Sequence, residues 1–394
     1  MTSDLGFIPF DCDHHYYEAE DAFTRHMDPA FRKRGMQWAQ IDGRKRLLVG
    51  GRINRFIPNP TFDPIARPGS LDAYFRGKAP TDDIRAAFGE LEQMSDHPEY
   101  RNRDAKIATL DQQGLGACFL FPTLGVGMES ALKDDLPAMR ASFSAFNRWL
   151  EEDWGFAYQD RIFAAAYMTL SDVDHAVSEL EWALERGCRL INLRAGAVMT
   201  DQGRNYSLGD PRHDRFWGLV NEAGITTAFH SGDAGYGFFL EHWGLSSEFE
   251  AFRYNPLRSM LNTSNVADAM ASLIAGQVFD RFPRLRVCTI ESGALWVDGL
   301  VQRMTKAFKM HKNAFPEDPV ETFRRHIWVA PFYEDDMHQL AGTIGTERML
   351  FGSDWPHAEG LETPRAFVDD LQGFDDAAIQ QIMKTNGEEL IAPV

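Results

Sequence analysis

The sequence predicts an α/β fold, a single (β/α)8 barrel spanning residues 1–394, and three observations carry that prediction. Eight short apolar runs recur along the chain, and helix-competent amphipathic sequence follows them. Several runs are apolar almost throughout, as parallel strands covered on both faces must be. No GxGxxG or P-loop succeeds the first run, which weighs against the main rival, a doubly wound open sheet.

Taken in order, the runs are FIPFDCDHH (7–15), ACFLFP (117–122), IFAAAYM (162–168), RLINLRA (189–195), TTAFHS (226–231), RVCTIES (286–292), HIWVAPF (326–332) and RMLFGSDW (348–355). The helices between them have readable ends. Ser171 is placed to cap SDVDHAVSELEWALERG, with Ala176, Val177, Leu180, Ala183 and Leu184 as the buried stripe and Gly187 where a left-handed terminator belongs. Thr363 followed by Pro364 opens a further helix, because proline tolerates the first helical position.

Residues 27–100 break the alternation, being far longer than an ordinary connection of about 2–6 residues. They hold a hairpin signal, MQWAQIDGRKRLLVGG, with Asp42-Gly43 as its turn, and then a Pro/Arg-rich passage. A second excursion, GDAGYGFFLEHWGLSSEFEAFRYNPLRSM, follows the fifth run. Both leave the C-terminal ends of strands, the catalytic face of such a barrel, so each reads as a lid or as a subunit contact.

Composition narrows the function class. With 44% hydrophobic and 25% charged residues the chain is globular, and a net charge of -18 opposes nonspecific attraction to nucleic acid or anionic lipid. No run reaches the ~18 apolar residues that span a bilayer, and the N-terminal residues lack the pattern of a signal peptide. Four scattered cysteines, Cys12, Cys118, Cys188 and Cys288, read as reduced packing residues, so a cytoplasmic protein is expected.

The chemistry concentrates at strand ends. Strict alternation along DCDHH puts Asp11, Asp13 and His15 on one face, and Cys12 and His14 on the other. Asp13 and His15 are therefore spaced to share one metal ion, while His14 is read as structural. His230 ends the fifth strand in TTAFHSG, as a ligand or as a histidine bonded to backbone. Asp354 ends the eighth in MLFGSDWPH, as a ligand or as a turn aspartate. Two imidazoles and two carboxylates at one barrel end suit a mononuclear divalent ion.

These motifs, DxDxH on the first strand, HSG on the fifth, ESGALWV on the sixth and GSDWPH on the eighth, resemble the amidohydrolase superfamily. The resemblance is to the amidohydrolase-related branch typified by aminocarboxymuconate-semialdehyde decarboxylase. It implies a distorted TIM barrel with one divalent ion (zinc, manganese or iron), ligated by Asp13, His15 and His230, with Asp354 as ligand, proton carrier or both. It also implies dimers or higher homo-oligomers. Three departures matter. The first strand has Asp-x-His in place of His-x-His, the fourth ends INLRAG with no lysine to bridge two metals, and Glu291 stands where many relatives have histidine. Glu291 is thus either a buried structural carboxylate or, with Asp354 and His230, part of the catalytic set.

For the substrate, Arg194 at the end of the fourth strand could clamp a carboxylate, as could Arg52, Arg55, Arg67 or Arg253 from a closing lid. Each of these arginines taken alone reads more readily as a surface salt-bridge residue. His357 is a further contact candidate, and the aromatics Trp38, Phe56, Tyr74, Phe75, Phe238, Phe239 and Trp243 suit a flat substrate or the packing of a lid or interface. The leading expectation is a decarboxylase acting on an aromatic or muconate-like organic acid. The alternative is hydrolysis or hydration of a lactone, ester or amide, and a third reading is a barrel that only binds a ligand.

Overall fold

The structure is a computed structural model that describes residues 5–201, 203–247, 255–261 and 265–393. Every apolar run becomes a stave of one barrel. Phe10–Tyr16 pairs in parallel with Ala117–Pro122, which pairs with Ile162–Ala164. The third stave continues as Ala166–Tyr167 and pairs with Leu190–Asn192, then Thr226–His230, Arg286–Ile290 and Ile327–Val329 follow side by side. The eighth stave forms ladder bonds without becoming a regular strand. Leu350 N donates to Val329 O at 2.9 Å, Cys12 N to Phe351 O at 2.8 Å and His15 N to Trp355 O at 2.8 Å. These bonds join the seventh stave to the first and close the ring.

The barrel interior is filled by side chains, as in a closed parallel barrel. Phe10, Phe119, Phe121, Phe163, Trp328 and Leu350 meet there with Cys12 and Cys288. Each such aromatic, removed from water, contributes about 1.5–3 kcal/mol. Leu390, on the terminal helix Asn386–Ile391, joins the same cluster. A second core lies between staves and outer helices, where Leu136–Asp153 buries Phe143, Phe146, Trp149 and Leu150. All four cysteines are buried and unpaired with one another. No helix among the described residues is long and apolar enough to cross a membrane.

Two helix starts differ from expectation. Asp172, not Ser171, caps Val173–Leu184: it is extended at φ -147° and its carboxylate accepts from His175 N at 3.1 Å. Gly187 does adopt φ +79°, three residues past the last helical residue. After Thr363 the chain forms a 3₁₀ segment, Pro364–Asp370, and Thr363 makes no side-chain cap bond.

The insertion carries the expected hairpin, Met36–Ile41 against Arg44–Val49, with both turn residues at positive φ (50° and 70°) as an Asp-Gly turn requires. Further on, it is laid over the barrel's catalytic face by its own chain. Gly69 N donates to His357 O at 3.0 Å and Leu71 N to Ala358 O at 2.7 Å. The start of segment 69–76 is thus bonded to the loop after the eighth stave of the same chain. In the second excursion, Gly237–His242 and Pro256–Met260 are short helices, and Arg253 lies outside the described residues. The next helix, Asn265–Ala275, buries Val266, Met270, Leu273 and Ile274 in this chain's core. Its apolar face is thus covered internally.

Candidate metal centre

The first stave is where strict alternation fails. Its register against the second stave shifts between Asp11 and His14. A bulge of this kind adds a residue and resets which side chains face inward. Phe10 and Cys12 point into the barrel below the bulge, and Asp13 and His15 point to the same interior above it. Asp11 is therefore not on the face of Asp13, and Cys12 is not on that of His14. Instead Asp11 Oδ1 accepts from Asp13 N at 3.1 Å and from Ser353 N at 3.0 Å, tying the first stave to the eighth. Its Oδ2 lies 3.3 Å from His14 Nε2, and the His14 ring stacks on Trp355. His14 is structural, as expected.

Above the bulge, Asp13, His15, His230 and Glu291 converge, each with one ligand atom within 4.8 Å of the others. His15 Nε2 and His230 Nε2 are 3.2 Å apart, and Asp13 Oδ1 stands 3.2 and 3.4 Å from them. Glu291 Oε2 is 3.1 Å from His230 Nε2 and 3.8 Å from His15 Nε2. The tautomers follow from the far side of each ring. His15 Nδ1 faces Pro122 O at 3.2 Å and His230 Nδ1 faces Ser231 O at 2.8 Å. A carbonyl only accepts, so both Nδ1 atoms carry the hydrogen, and in the neutral rings both Nε2 atoms present lone pairs. With both rings neutral, three acceptors meet here, and Asp13 Oδ1 is buried without a hydrogen bond. A divalent cation fits this donor set, two imidazole nitrogens with carboxylate oxygen, and resolves the repulsion.

Asp354 stands beside this group. Its Oδ1 is 3.3 Å from His15 Nε2 and 2.6 Å from His357 Nδ1, and His357 Nε2 is 3.0 Å from Thr123 Oγ1. Thr123 donates onward to Tyr16 O at 2.8 Å, so its hydroxyl can accept from His357 Nε2–H. The geometry thus brings Glu291 into the four-residue group and links Asp354 to His15 and His357 in a second one. Both carboxylate residues hold positive φ, 49° at Glu291 and 56° at Asp354. Non-glycine residues in this region cost about 1–3 kcal/mol and cluster where a site demands a particular side-chain direction. Burial, reinforced by the charge of Asp354, pushes the Glu291 carboxyl well above the usual range. Burial, then Glu359 and Asp13, does the same to Asp354.

A cavity of about 230 Å³ opens on Asp13, Glu291 and Asp354. Its walls come from the insertion (Phe75, Arg76), the seventh loop (Phe332, Tyr333) and the eighth (Glu359, Leu361). Arg194, Phe238 and Trp243 are not among them. Arg194 is spent inside the protein, donating to Ala234 O and Ala197 O with Glu129 Oε2 3.6 Å from its Nε. Phe238 and Trp243 are 62% and 56% exposed on the second excursion. Of the residues singled out for substrate contact, Phe75 lines the cavity and His357 lies against Asp354.

Several participants carried no local signal. Arg76 closes the Pro/Arg-rich passage of the insertion with nothing to set it apart from the arginines before it, and Glu359 sits in the loop after the eighth stave. Lys106 is fully buried behind His15, donating to its carbonyl at 2.9 Å with the Trp355 ring 4.3 Å away. Burial lowers its ammonium pKa to about 8. A lysine inside RDAKIATL reads as a solvent-facing helix residue, and only the packed structure reveals otherwise.

The amidohydrolase family model matches residues 10–391. Among solved structures, an amidohydrolase from Mycobacterium avium subsp. paratuberculosis K-10 is 44% identical, with a TM-score of 0.93 and 98% of each chain covered. A dihydroxybenzoic acid decarboxylase from Polaromonas sp. JS666, with bound manganese, shares the fold at 16% identity and a TM-score of 0.52, covering 82% of this chain and 93% of its own. A 4-oxalomesaconate hydratase from Rhodopseudomonas palustris does so at 15% identity and a TM-score of 0.51, covering 98% and 95%.

Proposed function

Because the chain belongs to the amidohydrolase family, we propose that it is a mononuclear metal-dependent decarboxylase of an aromatic or muconate-like carboxylic acid. The observation that carries the reading is the set of buried acceptors, Asp13 Oδ1 with the two histidine Nε2 atoms, beside a small aromatic-walled cavity that Asp13 itself lines. Asp13, His15 and His230 would hold the ion, with Glu291 or Asp354 completing its surroundings. A bound divalent ion would supply Lewis acidity toward a substrate carboxylate and a neighbouring oxygen.

The chain's own residues do the rest. Phe75, Phe332 and Tyr333 form walls against which a flat ring packs and from which water is displaced. Asp354, held by His357 Nδ1 at 2.6 Å, carries a proton at its carboxyl group. That proton passes to the carbon losing the carboxylate; the C–C electron pair becomes the new C–H bond, and CO2 departs. Glu291 is the second candidate for this acid.

The test joins metal analysis to product analysis. Inductively coupled plasma mass spectrometry should find about one equivalent of zinc, manganese or iron, absent from Asp13→Ala and His230→Ala. Loaded protein should then release CO2 from at least one aromatic or muconate-like acid. Two equivalents of metal would refute the mononuclear site. Turnover of lactones or esters without any CO2 release would shift the assignment to hydrolysis or hydration, with Asp354 acting as base.

A further inference from the structure

We propose that Glu291 is the fourth protein ligand of the ion, and that Asp354 stands outside the ligand set as the group that carries the proton. The inference rests on the mononuclear reading above and divides the two roles left open there. It departs from the ligand set that the family resemblance implies, Asp13, His15 and His230 with Asp354.

Spacing carries the argument. Ligand atoms about 2.1 Å from one ion stand roughly 3.0 Å apart at right angles and roughly 3.4 Å apart at tetrahedral angles. His15 Nε2, His230 Nε2 and Asp13 Oδ1 keep separations of 3.2, 3.2 and 3.4 Å. Glu291 Oε2 continues the pattern at 3.1 Å from His230 Nε2 and 3.8 Å from His15 Nε2. The four residues form one group, with ligand atoms all within 4.8 Å of one another. Asp354 belongs to the other group, with His15 and His357. Its Oδ1 lies 3.3 Å from His15 Nε2 but 2.6 Å from His357 Nδ1, so its closest partner is a ring outside the four.

The two carboxylates also differ in what else holds them. No backbone N–H or hydroxyl among the described residues donates to Glu291. The nitrogens nearest it are the two Nε2 atoms, which offer lone pairs when the rings are neutral. Burial and the charge of Asp354 disfavour a bare Glu291 carboxylate, and a divalent ion in contact supplies the missing charge. Asp354 is held without an ion, because His357 Nδ1 bonds it and Thr123 Oγ1 steadies the far nitrogen of that ring at 3.0 Å. Charge balance points the same way. Asp13 and Glu291 together neutralise a divalent ion, whereas a third carboxylate ligand would leave a net charge buried.

The test compares the full-length parent, Glu291→Gln and Asp354→Asn, each with a parent-like thermal midpoint before metal is added. Manganese affinity is measured by competition with a chelator, and coordination by the visible absorption bands of the cobalt(II)-loaded proteins. Glu291→Gln should lose at least ~100-fold in manganese affinity, the upper end of what a ligand's outer partners contribute, and its cobalt bands should shift. Asp354→Asn should stay within ~10-fold of the parent, with cobalt bands unchanged. Glu291→Ser gives the same reading if the glutamine variant does not fold. Parent-like affinity and bands in Glu291→Gln, or altered bands in Asp354→Asn, overturn the inference and leave the mononuclear reading standing. A parent that takes up neither manganese nor cobalt overturns that reading, and this inference with it.

Discussion

Glu18 provides a test of the packing behind the site that is independent of any substrate. It follows the first stave, is 2% exposed, and accepts from Leu124 N at 2.9 Å and Gly125 N at 2.9 Å. Burial raises its pKa from 4.5 to about 7, outweighing those backbone bonds and the nearby Arg101. A folded-state pKa raised in this way favours the native state fully below the unfolded value, and that stabilisation is lost as pH climbs through about 7. From these two values, native stability should fall by about 2 kcal/mol between roughly pH 5.5 and pH 8.5 on account of this group. Glu18→Gln keeps a carbonyl oxygen for Leu124 N and Gly125 N but cannot ionise. Urea unfolding of parent and variant across that range should give a stability difference that changes by about 2 kcal/mol, with the variant gaining as pH rises. A constant offset from the altered hydrogen bonds is allowed for. Parallel curves would refute the claim that Glu18 carries its charge in a desolvated place.

Asp11→Ala removes the acceptor shared by Asp13 N and Ser353 N and strands His14. It should cost about 3 kcal/mol in denaturant unfolding and weaken manganese retention on dialysis, since the stave bearing Asp13 loses its tie. Arg76→Ala breaks the pairs to Asp72 and Asp370 and loosens segment 69–76 of the cavity wall, so KM should rise several-fold with kcat less affected, measured on any acid found to be turned over. Asp354→Asn should retain close to one equivalent of metal by mass spectrometry yet lose on the order of 100-fold in CO2 release, the range expected when a positioned acid is removed.

Much of this protein is written locally. Eight apolar runs with helix-competent sequence between them leave little besides a parallel barrel, and an Asp-Gly turn between alternating residues makes a hairpin wherever it lies. Asp13, His15 and His230 could be found because polar residues breaking apolar strands at one end of a barrel converge by topology alone. Period-two reasoning failed at Asp11 and Cys12, because a bulge is set by how the first stave seats against the second and eighth, not by its own residues. Arg194 looked like a free clamp until the loop carbonyls of Ala197 and Ala234 closed on it. Glu291 and Asp354 owe their direction to positive-φ turns, and Arg76 and Glu359 reach the cavity only because the insertion folds back over the eighth loop. The sequence by itself determined which strand ends meet at the catalytic end of the barrel, since that depends on strand order. Which side chains there are neutralised, strained or left unpaired is decided by contacts between residues hundreds of positions apart, and those exist only once the ring has closed.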